Sequence, residues 1–169
     1  MLYKADYQSP LGEMTLLGDE SCLLGLWFKE QKYFSLGYDL SEAKNDENLP
    51  IIKATEWLNQ YFRGENPSSK MIKLNPVVTE FRKKVLKILG DVPYGTLITY
   101  KQISKELQQN EQNPRNMSQA VGGAVAHNPI SIIIPCHRVV GADGSLTGYA
   151  GGLDKKKALL ALEQSDSIK

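Results

Sequence analysis

The hydrophobic pattern of this chain changes character once, across a stretch rich in chain-breaking residues, and that change limits what it can fold into. Before residue 29 the sequence reads as strands. Leu2 to Tyr7 alternates, Met14 to Leu17 follows the turn signal Ser9-Pro10-Leu11-Gly12, and Cys22 to Phe28 follows Gly18-Asp19-Glu20. After residue 78 the apolar residues recur at helical spacing. Between them lie Gly64, Pro67, Ser68, Ser69, Asn75 and Pro76, the composition of a linker. The expectation is an α/β (α+β) chain of two parts: an N-terminal α/β domain over residues 1–75 and a mostly helical C-terminal domain over 76–169.

Within the first part, residues 29–49 are polar and read as a loop with one helical turn. Pro50 opens a helix at a position proline tolerates, with Ile51, Thr55, Leu58 and Phe62 on one face and Gly64 as its stop. In the second part, Thr79 caps a helix whose inner face is Phe81, Val85, Ile88 and Leu89, ending at Gly90. Thr99-Tyr100-Lys101-Gln102 has capping-box form and starts a short helix to about Leu107. After the polar loop Gln108 to Asn116, Ser118 caps a third helix through His127, closed by Asn128-Pro129. These two helices suggest a helix-turn-helix variant, a pairing that also occurs in many proteins that never meet DNA. Ile130 to Ile134 reads as buried, and Asp154 caps a last helix through Glu163.

Composition narrows the class. At 41% hydrophobic and 23% charged residues the chain is globular. No apolar run approaches the roughly 20 residues of a membrane span. Met1 to Asp6 lacks the apolar core of a signal peptide, so the expectation is a soluble, cytoplasmic chain with free thiols at Cys22 and Cys136. Residues 1–75 carry eight Lys/Arg against eleven Asp/Glu, a net of −3, and residues 76–169 carry twelve against eight, a net of +4. A basic second half favours a polyanionic partner only modestly.

The dense constellation is Ile132-Ile133-Ile134-Pro135-Cys136-His137-Arg138-Val139-Val140. An apolar lead-in fixes Cys136, and an imidazole and a cation follow it; either one nearby lowers a thiol's pKa. The same residues also fit a small buried cysteine beside a surface histidine, and the local chemistry leaves both readings open. Gly122-Gly123 inside a helix costs about 1 kcal/mol per residue relative to alanine, which calls for tight packing or a partner's close approach. Gly148-Tyr149-Ala150-Gly151-Gly152 reads as a flexible connection or as a pocket wall with free backbone N–H groups.

Pro135-Cys136-His137-Arg138-Val139 resembles the active-site signature of the O6-alkylguanine-DNA alkyltransferases. The resemblance runs from Phe81 to Glu163. Asn128-Pro129 stands at the family's spacing before the cysteine, Ala120-Val121-Gly122-Gly123 matches its recognition helix, and Gly148 to Leu153 matches the loop after the signature. Over residues 1–75 it rests on layout alone. It implies a ribonuclease-H-like N-terminal domain and a C-terminal domain with a winged-helix-like helix-turn-helix that binds double-stranded DNA through the minor groove. It also implies a monomer with no cofactor and no membrane association.

The resemblance further implies direct repair of O6-alkylguanine, and less firmly of O4-alkylthymine, by transfer of the alkyl group to Cys136 in a single irreversible turnover on a flipped base. His137 would take the thiol proton through a water, Glu163 would orient His137, and Asn128 would hold the turn presenting the cysteine. Tyr100 would donate a hydrogen bond to the leaving base, and Tyr149 would wall the pocket. The Ala150 N–H and the Val139 C=O would read the base edge, and Thr99, Gln119 and Gly122 would lie against DNA. Two departures stand out. Gln119 occupies the position where the family commonly has an arginine that fills the gap left by the base, and the Gln108–Asn116 loop is longer than in short members. The N-terminal zinc ligands of some relatives are missing, so no metal is expected. The competing readings are a damage binder without transfer, a thiol enzyme of another class and a transcription regulator with Cys136 as sensor. The presence of Cys136 opposes the first, and the agreement of separated motifs opposes the other two.

Overall fold

Ser9 and Gly12 pair across a two-residue turn, and from them β1 (Tyr3–Ser9) and β2 (Gly12–Gly18) run antiparallel with Tyr3 opposite Gly18. The Ser9 hydroxyl donates to the Gly12 carbonyl at 2.6 Å and accepts from the Leu11 N–H at 3.1 Å, which closes the turn. β3 (Leu23–Phe28) pairs antiparallel with β2, with a bulge at Leu17/Gly18. These three strands are the expected meander. The polar stretch after β3 adds a 3-10 turn, Leu40–Glu42, and a short strand β4 (Lys44–Asn45) parallel to β1, giving the order β3-β2-β1-β4. The computed structural model describes residues 1–35 and 37–168, with side chains through residue 164.

Helix α1 (Leu49–Phe62) carries Pro50 in its first turn and packs on the sheet. Its buried residues are Ile51, Ala54, Trp57, Leu58 and Tyr61 along with Pro50. The expected stripe is therefore rotated: Thr55 and Phe62 are half-buried, and Tyr61 takes the central place. The reason is a polar one, because the Tyr61 hydroxyl finds a buried partner from the far end of the chain, described below.

The linker-like stretch does not hang free. Leu23 N–H donates to Lys73 O at 2.8 Å, Asn75 N–H donates to Leu23 O at 3.0 Å, and the Trp57 indole N–H donates to Pro67 O at 3.1 Å. Further along β3, Leu26 N–H donates to Pro129 O at 2.8 Å and Ser131 N–H donates to Leu26 O at 2.9 Å. The edge of β3, a row of unpaired backbone groups if left open, is thus covered by two passing segments. The second of these leads straight to Cys136.

The helical part contains α2 (Glu80–Gly90), α3 (Tyr100–Leu107), α4 (Ser118–Ala126) and α5 (Leu153–Ile168), with a parallel two-stranded pairing of β5 (Ile98–Thr99) and β6 (Val139–Val140). Thr79 caps α2 by accepting from Arg82 N–H, and its buried face is Val85, Leu86 and Leu89, with Phe81 and Ile88 at its margin. The capping box on α3 is complete: Gln102 N–H reaches Thr99 Oγ1 at 3.1 Å and Thr99 N–H reaches Gln102 Oε1 at 2.8 Å. Ser118 does not cap α4. It is the first helical residue, and its N–H and hydroxyl both donate to Asn116 Oδ1. The loop between α3 and α4 is pinned by buried Gln108, which donates to Arg115 O at 2.6 Å and accepts from Arg115 N–H at 2.8 Å. α5 starts at Leu153 with Asp154 in its first turn and runs beyond Glu163 to Ile168. One hydrophobic core joins both halves, with Leu16, Leu26, Ile51 and Leu58 in the same cluster as Val85, Leu89, Ile103, Val121 and Ile130.

Gly25 and Trp27 lie two residues apart on one face of β3, and the indole folds back over the glycine. A Cβ at position 25 would run into the buried Trp27 ring, which is flanked edge-on by Phe34 and Tyr38. Gly25→Ala is expected to destabilise the fold by about 1–3 kcal/mol through overpacking, read as a lowered denaturation midpoint. A midpoint equal to that of the native chain would mean the indole has room to move.

Candidate active site

The segment that carries Cys136 is held in an unusual path by one side chain. Asn128, buried at the end of α4, donates to Ile130 O at 3.2 Å and to Ile134 O at 2.8 Å, and accepts from Ile130 N–H at 3.0 Å. Inside this clasp Ile132 sits at φ +70°, a conformation a β-branched residue rarely adopts, with Ile133 N–H donating to Ser131 O at 2.8 Å. Pro135 then takes φ −81° and ψ 66°, and Cys136 N–H donates to Ile134 O at 2.8 Å, an inverse γ-turn. Cys136 opens the 3-10 turn Cys136–Arg138, so the thiol comes out of consecutive tight turns with little freedom left.

His137 and Arg138, next in the same turn, are both buried and both reach Glu163. His137 Nε2 lies 2.6 Å from Glu163 Oε2; Arg138 donates through Nε to Oε1 at 2.8 Å and through Nη2 to Oε2 at 3.1 Å. The Tyr61 hydroxyl donates to Oε2 at 2.6 Å and Gly95 N–H donates to Oε1 at 3.1 Å. The carboxylate is thus enclosed by donors from α1, from the turn after α2 and from the Cys136 turn. Burial alone would raise its pKa, but the hydrogen bonds from His137 and Arg138 and their charges overcome this and lower it to about 2.

An ionised carboxylate only accepts, so His137 Nε2 carries the proton given to it, and Nδ1 is the basic nitrogen of a neutral ring. Burial lowers the His137 pKa, with the Glu163 hydrogen bond opposing, and Nδ1 has no protein partner among the described residues. Burial raises the Cys136 pKa, while the Asn128 amide and the Lys156 ammonium pull the other way. Lys156 is itself buried, its pKa lowered by burial, with Nζ directed at the Thr147 and Gly148 carbonyls at 3.3 and 3.5 Å. The Tyr149 hydroxyl is buried beside the thiol and Ser131 without a hydrogen bond of regular geometry to either.

A pocket of about 270 Å³ adjoins this centre, lined by Tyr100, Gly122, Val125, Ala126, Gly148, Tyr149 and Ala150 together with Lys32 and Tyr33 from the loop after β3. The Tyr100 hydroxyl is 2.7 Å from Thr147 Oγ1. A Cβ on Gly122 would make only ordinary contact with the Tyr100 ring and one on Gly123 would meet nothing, so tight helix packing does not account for the glycine pair. Gln119 is exposed on the first turn of α4. Thr99 is engaged as the α3 cap, and Val139 is fully buried in the β5–β6 pairing.

The structure therefore brings Cys136, His137, Glu163 and Asn128 together, sets Tyr100, Gly122, Tyr149 and Ala150 around one pocket, and leaves Thr99, Gln119 and Val139 outside its lining. Tyr61 and Lys156 carry no functional signal in the sequence, and Arg138, expected as a cation near the thiol, is directed instead to Glu163. Arg138 stands inside the signature; Lys156 hides in the run Lys155-Lys156-Lys157, and Tyr61 follows no motif. Among the described residues no three His, Cys, Asp or Glu side chains converge as a metal-ligand group, and no helix is long and apolar enough to cross a membrane.

Comparison with known proteins covers nearly the whole chain. Residues 2–76 match the 6-O-methylguanine DNA methyltransferase, ribonuclease-like domain, and residues 80–165 match the 6-O-methylguanine DNA methyltransferase, DNA binding domain. A methylated-DNA–protein-cysteine methyltransferase of Methanosarcina acetivorans is 44% identical over 97% of this chain and 99% of its own length. One of Haemophilus influenzae is 38% identical over 96% of this chain and 87% of its own length. The crystal structure of Mycobacterium tuberculosis OGT in complex with DNA superposes with a TM-score of 0.85 at 37% identity, covering 97% of this chain and 94% of that one.

Glu163 generates the clearest test of this site. Its pKa is about 2 in the folded chain against 4.5 as the ordinary value, so the unfolded chain takes up the proton first as pH falls. Its stabilisation is complete above pH 4.5 and is lost as pH drops toward 2. Glu163→Gln is expected to cost about 3–5 kcal/mol at neutral pH by stranding buried Arg138, and to flatten the acid limb between pH 4.5 and 2 in denaturant titrations. Native stability and a native acid limb in the variant would contradict the role given to this carboxylate.

Proposed function

The chain belongs to the 6-O-methylguanine DNA methyltransferase family, acting in DNA repair by transfer of an alkyl group to a protein cysteine, and from that premise we propose that Cys136 accepts the alkyl group of an O6-alkylguanine flipped into the pocket beside Tyr100 and Tyr149. The observation that carries this reading is the buried His137–Glu163 pair directly after Cys136, which leaves His137 Nδ1 as a free base.

In this reading the thiol proton passes to His137 Nδ1 through one bridging water, and Glu163 stabilises the imidazolium that results. The sulfur forms a bond to the alkyl carbon as the bond from that carbon to O6 breaks, and the electron pair stays on the base. Tyr100 donates a hydrogen bond where that charge develops. Overall, the alkyl group moves from O6 to sulfur and one proton moves from sulfur to the base. The product is a thioether and no step restores the thiol, so each molecule acts once. O4-alkylthymine is a second substrate of the same chemistry.

DNA is the partner, and the proposed mode is that a monomer reads the minor groove of a duplex with α3 and α4, with Gln119 entering the gap left by the flipped base. Gly123, with open space where a Cβ would stand, and Gly122, where a Cβ would meet only the Tyr100 ring at ordinary contact distance, allow the backbone of α4 to approach the strand. Asn128 holds the Cys136 turn and Ala150 N–H meets the base edge from the pocket wall; Val139 C=O is proposed to meet it from outside the lining, and Thr99, the α3 cap, to lie against DNA.

Mixing the protein with a duplex containing one O6-methylguanine is expected to add one methylene to the Cys136 peptide by mass spectrometry, saturating at one equivalent. Cys136→Ala is expected to lose all transfer and keep lesion binding. Transfer by that variant would overturn the assignment, and lesion binding by the native chain with no mass gain would make it a damage binder.

Gln119→Arg adds a cation at the position that enters the duplex. The expected outcome is tighter binding to lesion-bearing duplex in a fluorescence anisotropy titration, with a steeper salt dependence. Unchanged affinity would place the gap-filling role elsewhere.

A further inference from the structure

One side of the pocket comes from the opposite half of the chain. Leaving β3, the backbone turns at Gln31, whose buried side chain accepts from Phe28 N–H at 2.9 Å and from the Ser131 hydroxyl at 3.2 Å. Lys32 N–H then donates to Ala150 O at 3.0 Å. The corner is therefore fastened both to the Cys136 segment and to the loop that walls the pocket. Tyr33 follows at φ +60°, a left-handed conformation costly for a residue with a large side chain, and stacks on His127 with 3.8 Å between ring centroids and 28° between planes.

This construction holds in place two side chains that the fold does not bury. Tyr33 is 44% exposed, and Lys32 is exposed with no acidic group within 4 Å among the described residues. Both line the pocket. An unpaired cation next to an aromatic face that is rigidly backed by a second ring is the chemistry that grips an unstacked nucleotide: the cation takes its phosphate, the ring takes a flat face of the base or sugar. None of this is needed for packing, since the apolar core is complete without either side chain.

We propose that Lys32 and Tyr33 form a nucleotide-gripping rim of the alkyl-transfer pocket, with Lys32 on the phosphate of the flipped nucleotide and Tyr33, backed by His127, against its base or sugar. The N-terminal part thereby takes a direct share in substrate binding, and the inference rests on the flipped-base reading above. Lys32 and Tyr33 are binding residues; neither is given a part in the bond-making step.

The test measures affinity for a lesion-bearing duplex and the rate of alkyl transfer separately, for the native chain, Lys32→Gln, Tyr33→Ala and Tyr33→Phe. Lys32→Gln is expected to weaken duplex binding about fivefold at moderate salt and to reduce the log–log salt slope by about 1, the mark of one lost phosphate contact. Tyr33→Ala is expected to weaken binding about fivefold or more with the salt slope kept, and Tyr33→Phe to stay within about twofold of native. With the free nucleobase O6-benzylguanine, which has no phosphate, the rate for Lys32→Gln should fall much less than its rate with duplex. A native salt slope in Lys32→Gln together with native affinity in Tyr33→Ala would overturn the proposal. Should Tyr33→Ala lower the melting temperature, Lys32→Gln decides the matter through its slope alone. A native chain that binds the lesion without transferring its methyl group would refute the proposed chemistry, while the salt slopes would still decide the rim.

Discussion

A carboxylate cut off from water has to be surrounded by donors, and Glu163 collects them from three distant stretches of chain. Tyr61 comes from α1, Gly95 from the turn after α2, and His137 and Arg138 from the turn that follows the thiol. The same five hydrogen bonds do three things. They keep the carboxylate ionised, they fix the imidazole in the tautomer whose Nδ1 is basic, and they clamp α1 of the first half onto α5 of the second. Stability and reactivity are consequently not separable here. Arg138 also donates to Val92 O at 2.7 Å and lies over the Tyr94 ring, so removing the carboxylate would leave a buried guanidinium with no anionic partner among the described residues.

The nucleophile depends on a second, complementary constraint. Ile130 to Ile134 is wholly buried and strongly apolar, yet it forms neither a helix nor a strand beyond its bridge to Leu26. Its backbone groups are satisfied instead by Asn128, by short-range turns and by the edge of β3. A positive φ at an isoleucine persists only where its surroundings over-determine it, and here the apolar side chains anchor the segment while the Asn128 amide dictates its path. Displacement at carbon requires the sulfur to lie in line with the bond that breaks, so a thiol on a rigid mount loses little freedom when the substrate arrives.

How much of this could be read from the residues depends on the range of the interaction. Local devices were legible: the Thr99–Gln102 capping box, the Thr79 cap and the Ser9–Gly12 turn lie in the structure where the sequence put them. Ser118 is not the cap its position suggests, because Asn116, two residues earlier, is an equally good acceptor for the first turn of α4. The α1 stripe was rotated because Tyr61 is placed by a hydroxyl partner 102 residues away, which periodicity cannot register. Lys156 is illegible for a similar reason: three consecutive lysines give no sign of which one points inward, and only the packing of α5 buries the middle one. The signature around Cys136 marks the family, and long-range polar contacts bring Tyr61 and Glu163 to the turn that follows it.

The electrostatics of the resting site suit a nucleophile used once. Burial pushes the Cys136 thiol up and the His137 imidazole down, so both shifts oppose the thiolate–imidazolium pair that reaction requires. At neutral pH the sulfur is therefore held as a thiol, the form that reacts slowly with oxidants and stray electrophiles. The groups that would favour the ion pair are already in place, Glu163 for the imidazolium and the Lys156 ammonium and Asn128 amide for the thiolate, but they do not outweigh burial. In the proposed reaction a substrate shifts that balance, because the negative charge leaves sulfur as the new bond forms and arrives on the base, where Tyr100 is the proposed donor. The thiol is in this way spared until an alkyl carbon is in line, which matters most in a protein with no means of recovering it.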